Sequence, residues 1–279
     1  MIHLFVIIAV ALLANSSSGE RVGESLFETS FNRSECLSTA EFVDISDGGY
    51  LPSLEGDKSS VTCLNSNGIS TNLTVSEIIP VTSSIKIETE PLQTISSMTF
   101  DMWLQFPNQT IDRDKLIMSV GKDQLSSRSG AGDFAFELYQ RPLEAANAVS
   151  LSLAVGSGVS INTLTFSNGA PVHEIEDENQ VIHIALVIYY YEIFDPRLES
   201  TLHNIGCDLL INGVYIDYVS TRSDTSTFAP SVWPSNYYQL NFFNTYNQGD
   251  RAVWEGSLRH FAWYPRVSKQ LLLCFIILH

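Results

Sequence analysis

Basic residues are scarce in this chain: Lys and Arg together number 15, against 31 Asp and Glu, for a net charge of −16. A polyanion such as DNA, RNA or heparin would be repelled overall, so nucleic acid is not an expected partner. Cysteine is also sparse, at four residues, and no C-x-x-C occurs. That removes zinc ribbons and thioredoxin-type redox sites. No G-x-S-x-G, no phosphate-binding G-x-x-x-x-G-K-[ST] and no H-E-x-x-H is present. The six histidines are scattered, and His183, inside an apolar run, reads as a hydrogen-bonded structural residue. No amphipathic pattern sustains a helix beyond two turns, and no repeat of 20 to 50 residues exists.

Hydrophobic residues are plentiful, at 44%, with only 16% charged, so the 279 residues can enclose a large core. The first 14 residues, Met1 to Ala14, form an apolar run followed by Asn15-Ser-Ser-Ser-Gly19. The run is shorter than the roughly 20 residues a membrane helix needs. It reads as a signal peptide over residues 1–19, cut near Gly19 or earlier, near Ala14 or Ser16. Export fits the N-x-S/T sequons at Asn32, Asn72 and Asn108, each expected to be glycosylated, while a fourth at Asn15 would leave with the signal peptide. It also fits an even cysteine count. Cys36–Cys63 is the favoured disulfide and Cys207–Cys274 the remainder, with free buried thiols the alternative for that second pair.

Residues 20–44 read as an irregular leader, and residues 20–80 as carrying one or two strands. From about residue 81, short alternating runs separated by turn residues predict an all-β, antiparallel sandwich. In Met98-Thr-Phe-Asp-Met-Trp-Leu-Gln-Phe106, the residues Met98, Phe100, Met102, Leu104 and Phe106 share one face. Val181–Tyr189 is apolar on both faces, as a central strand requires. Cys207–Tyr218 reads as a hairpin turning at Asn212-Gly213, with Leu209 opposite Ile216 and Cys207 opposite Tyr218. That register buries Cys207, Leu209, Ile211, Val214, Ile216 and Tyr218 on one face. It sets Asp208 against Asp217 on the other, where Ca²⁺ could relieve their repulsion.

Three segments together resemble the laminin-G-like branch of the concanavalin A-like jelly rolls. They are Ser84–Glu88 with Ile95–Gln105, Ile182–Tyr189 with Leu209–Tyr215, and Trp254–Leu258 with Trp263–Ser268. The resemblance covers about residues 45–269. It departs from the family where Arg259-His260 replaces an acidic pair in the last strand. It implies a β-sandwich that binds a glycan or an extracellular protein, in the adhesion and surface-recognition class. Calcium at the rim loops is common in that family.

A secreted glycoside hydrolase or transglycosylase on the same fold is the alternative. Glu174-Ile-Glu-Asp-Glu178 partly resembles the catalytic run of laminarinase-type hydrolases. Asp177 breaks the alternation, however, and a solvated loop is the expected state of this segment. A purely structural ectodomain is the third reading. Trp233, Tyr237, Tyr238 and Tyr246, clustered among prolines, are candidate ligand contacts. The apolar end, Leu271–Leu278, is too short for a span or a lipid-anchor signal. It is expected to be a truncated end of a longer surface protein, with a final core strand or helix as the alternative. Membrane attachment would then come only through sequence beyond it.

Overall fold

The computed structural model describes residues 25, 27–38, 45–46, 53–55, 61–71, 84–89, 97–122, 134–145, 147–156, 161–197, 199–221, 238–242 and 252–264. Two large sheets dominate. The first has eight strands. It runs β15 (Val214–Ser220), β14 (Ser200–Ile211), β13 (Ile182–Asp195), β6 (Ser97–Gln105), β18 (Ser257–Tyr264), β4 (Ile69–Thr71), β3 (Val61–Cys63). β1 (Phe27–Thr29) also pairs with β18. The second, likewise eight-stranded, runs β11 (Ile161–Thr165), β10 (Leu151–Gly156), β8 (Phe134–Gln140), β7 (Lys115–Lys122), β16 (Tyr238–Phe242), β5 (Ser84–Thr89), β2 (Ser53–Glu55). Among the described residues, every pairing is antiparallel except that of β17 (Ala252–Val253) with β7. β9 (Ala148–Val149) and β12 (His173–Glu174) form a small separate pair. A short helix, α1 (Arg33–Ser38), follows β1.

The sheets pack face to face over one hydrophobic core, as the expected sandwich requires. β6 behaves as its alternation predicts: Met98, Phe100, Met102 and Leu104 are buried, with Phe106 just beyond, while Trp103 emerges on the other side. Val149, Leu151, Leu153 and Val155 also point inward. The rings of Phe242 in β16 and Phe261 in β18 meet edge-on at 4.9 Å, joining the layers. Trp254 is fully buried, edge-on to Phe106 at 5.4 Å, and its Nε1 donates to Gln140 Oε1 at 2.8 Å.

Several expectations need correction. The entry segment carries four short strands, not one or two. The Asn212-Gly213 turn has positive φ at both residues, 52° and 77°, as a type I′ turn demands. The hairpin register, however, shifts at a bulge between Leu209 and Leu210. Leu209 therefore faces Asp217, and Asp208 faces Tyr218. Cys207, Leu209 and Ile211 are buried as expected, and Ile216 packs on the core. Tyr218 is turned outward to 38% exposure, and Val214, beside the turn, is 56% exposed. The bulge turns Tyr218 out, since one extra residue in β15 moves those beyond it to the opposite face, whereas Val214 keeps its expected pairing with Ile211.

β13 and β14 also run further than the sequence pattern suggests. Beyond Tyr189, where pairing with β6 stops, residues 190–195 pair with 200–205 as a two-stranded ribbon. Its outer part exposes Ile193 and Phe194.

Candidate functional site on the outer face of the first sheet

The face of the first sheet turned away from the core carries two groups of aromatic and polar side chains. The first is built around a second bulge. In the β6–β18 pairing, Leu258 faces Leu104 but His260 faces Trp103, leaving Arg259 as the extra residue. Leu258 and Phe261 remain in the core, so Arg259 and His260 both emerge beside Trp103. A bulge re-aims side chains in this way. Trp103 is 44% exposed. It forms the floor of an open depression of about 620 Å³, together with Ser66, Asn67, Val181, Arg259 and His260.

Neighbouring elements hold these groups in place. Trp103 lies against the His183 ring, at 5.0 Å between centroids. His183 Nε2 and Asp101 Oδ1 are 2.8 Å apart, the structural hydrogen bond expected of that histidine. The Arg259 guanidinium donates through Nη2 to Gln105 Oε1 at 2.6 Å and through Nη1 to Asn67 O at 3.4 Å. Nη1 also donates to Ser66 Oγ. Its stem passes Gly68, where a Cβ would come within 2.7 Å of Arg259 Cδ. Gly68, at φ 134°, thus serves both the turn and the side chain crossing it. Burial lowers the pKa of the guanidinium.

The second group is a cluster of tyrosines. Tyr189 and Tyr218 stack nearly parallel, 6.3 Å apart and 12° between planes. The hydroxyls of Tyr191 and Tyr218 are 3.0 Å apart. The two stacked rings lie over Gly206, which has no side chain to part them. Burial pushes the Tyr218 phenol up to about 12. Asp208 sits beside this cluster. Burial raises its pKa, and a hydrogen bond from Tyr189 opposes that shift.

The structure separates the proposed calcium pair. Asp217 is held elsewhere: its Oδ2 accepts from Ser167 N at 2.6 Å and its Oδ1 from Tyr218 N at 2.8 Å. The paired carboxylates that would attract Ca²⁺ are therefore not formed. Among the described residues, no group of three or more His, Cys, Asp or Glu is placed to hold a metal ion. Cys36 and Cys63 form the favoured disulfide. Cys207 corrects the second pairing: it is a free, fully buried thiol, and burial holds its pKa well above the usual range. Cys274 lies outside the described residues, as do the segment 1–19, Asn72, Trp233, Tyr237, Tyr246 and the apolar end. Tyr238 enters β16, where only its backbone is described. Asn32 and Asn108 are exposed. Glu174, Glu176, Asp177 and Glu178 are exposed too, and the last three form a polar turn closed by Gln180 N donating to Asp177 O at 2.9 Å. The carboxylates do not line one strand.

Ser66, Asn67, Trp103, Arg259 and His260 were not among the contacts anticipated from sequence. Two signals pointed to them. Trp103 occupies the outward register of a cleanly alternating strand, and Arg259-His260 is a basic pair where the resembled family is acidic.

No protein-family model matches the chain, and no curated protein does. Solved structures do match in fold. The botulinum neurotoxin serotype C1 binding domain aligns with a TM-score of 0.52 at 11% identity, over 92% of this chain and 52% of that one. A botulinum neurotoxin type C structure, described as depending on two ganglioside molecules for cell entry, aligns at 0.50 and 12% identity, over 92% and 51%. The binding domain of Paraclostridial Mosquitocidal Protein 1 aligns at 0.50 and 15% identity, over 90% and 52%. This chain spans about half the length of these structures. At such identities the likeness establishes a β-sandwich fold.

Proposed function

We propose that this chain is an extracellular carbohydrate-binding module that takes a glycan on the outer face of its first sheet, over Trp103. The observation that carries this reading is an indole 44% exposed among polar groups of Ser66, Asn67, Arg259 and His260. A sugar ring offers an apolar C–H face for stacking and hydroxyls at its rim for hydrogen bonds, and the depression offers the complement. The fold supports the reading, since one matching structure is described through its interaction with gangliosides. Export is part of the proposal, supported by the apolar segment at 1–14, the Cys36–Cys63 bridge and the exposed sequons at Asn32 and Asn108. The proposed role is binding without catalysis, since Glu176, Asp177 and Glu178 lie exposed on a turn, away from Glu174 at the end of β12.

The test is a glycan screen with the purified chain, followed by titration of Trp103→Ala. Loss of an aromatic anchor worth about 2 kcal/mol weakens binding roughly thirtyfold. A variant that binds the same glycans as tightly as wild type would refute the placement of the site.

A further inference from the structure

Arg259 stands out from the other cations that reach into packed surroundings. Lys115 meets Glu255 at 3.2 Å, and Arg141 meets Asp114 at 3.9 Å. Among the described residues, Arg259 donates only to neutral oxygens, those of Gln105, Ser66 and Asn67. The two acids beside the depression face other groups, Asp101 facing His183 and Glu28 lying 3.7 Å from His260. Of the five N–H donors on a guanidinium, three are engaged, and the Nε one is buried without a partner. In a chain of net charge −16, a partly desolvated cation thus has no counter-charge among the described residues.

We propose that Arg259 makes the depression selective for sugars that carry a carboxylate, such as a terminal sialic or uronic acid. This rests on the glycan-binding reading and names its ligand class. Trp103 supplies the stacking surface, which any sugar ring can use. Arg259 supplies the charge that only an acidic sugar can satisfy, through charge-assisted hydrogen bonds stronger than those to a neutral hydroxyl. The bulge that brings Arg259 and Trp103 out side by side sets carboxylate and ring recognition in one place. Partial burial strengthens the electrostatic attraction relative to open water.

The experiment compares sialyllactose and a glucuronic-acid-terminated oligosaccharide with their methyl esters, by calorimetry on the wild-type chain. The acids are expected to bind about ten- to hundredfold more tightly than the esters. Arg259→Gln is expected to bring the acid-to-ester ratio close to one. If the variant does not fold, as judged by circular dichroism, the acid-to-ester ratio on wild type still decides. Acid and ester binding equally would overturn the selectivity and leave the glycan reading standing. If neither these sugars nor any neutral glycan binds, the reading beneath it falls as well.

Discussion

The Cys36–Cys63 bridge ties α1 to β3, and so fixes the hairpin whose turn carries Ser66 and Asn67 to the Trp103 depression. Replacing both cysteines with alanine tests how much that anchor matters. The bridge spans a sequence separation of 27. A loop of that size restricts the unfolded chain enough to stabilise the folded one by about 3.5 kcal/mol. The effect should also be local. Among the described residues, the β3–β4 hairpin pairs with β18 at Ser257↔Ser70 and Leu258↔Ile69, and Gly68 N donates to Phe31 O at 2.9 Å. Without the bridge, Ser66 and Asn67 should hold their positions less firmly, and glycan affinity should fall along with stability. Urea unfolding followed by tryptophan fluorescence reads the first quantity, and titration with the screened glycan reads the second. Cys207 is an internal control, because a thiol fully buried in the core is protected from labelling until the sandwich opens. A stability loss below about 1 kcal/mol, with glycan affinity unchanged, would refute the reasoning.

Other perturbations follow from the same geometry. Gly256→Ala would place a Cβ within the ring of Trp254, which is fully buried and held by Gln140, so the cost is expected to be about 3 kcal/mol. An unchanged Tm would contradict that packing. Asp208→Asn should stabilise the chain at neutral pH, because burial raises the pKa of the native carboxyl above its ordinary value. With the folded pKa the higher one, the charged form is penalised once pH exceeds the unfolded pKa. The advantage of asparagine should therefore be full above the raised folded value and should fade as pH falls to the ordinary carboxylate range. Melting curves across that range would show a constant difference if the reasoning is wrong.

Much of the sandwich was legible because burial leaves a strict period. Met98, Phe100, Met102 and Leu104 can share a face only in an extended strand, and Asn212-Gly213 specifies its own turn. The bulge opposite Leu209 left no mark, since Ile216 and Asp217 fit either register until the packing decides. The ribbon at residues 190–195 was equally hidden. Ile193 and Phe194 lie exposed there, so no buried face imposes a period on the sequence. The candidate site was half visible. Trp103 lay at an outward position and Arg259-His260 broke a familial pattern, but only the bulge in β18 brings the three together, and bulges are set by long-range pairing. Ser66 and Asn67 lie nearly 200 positions before Arg259 along the chain, on a disulfide-tied hairpin.

The ribbon beyond Tyr189 has a practical consequence. Beyond Ile205, which still bonds Thr221, its described hydrogen-bonded ladder joins its own two strands, and an isolated pair of strands is marginally stable. The free energy that keeps it zipped is thus largely separate from that of the two-layer core. Its turn, where Pro196, Arg197 and Glu199 are exposed, is accordingly a place where the polypeptide can be nicked or lengthened by a tag while the remaining strands keep their register.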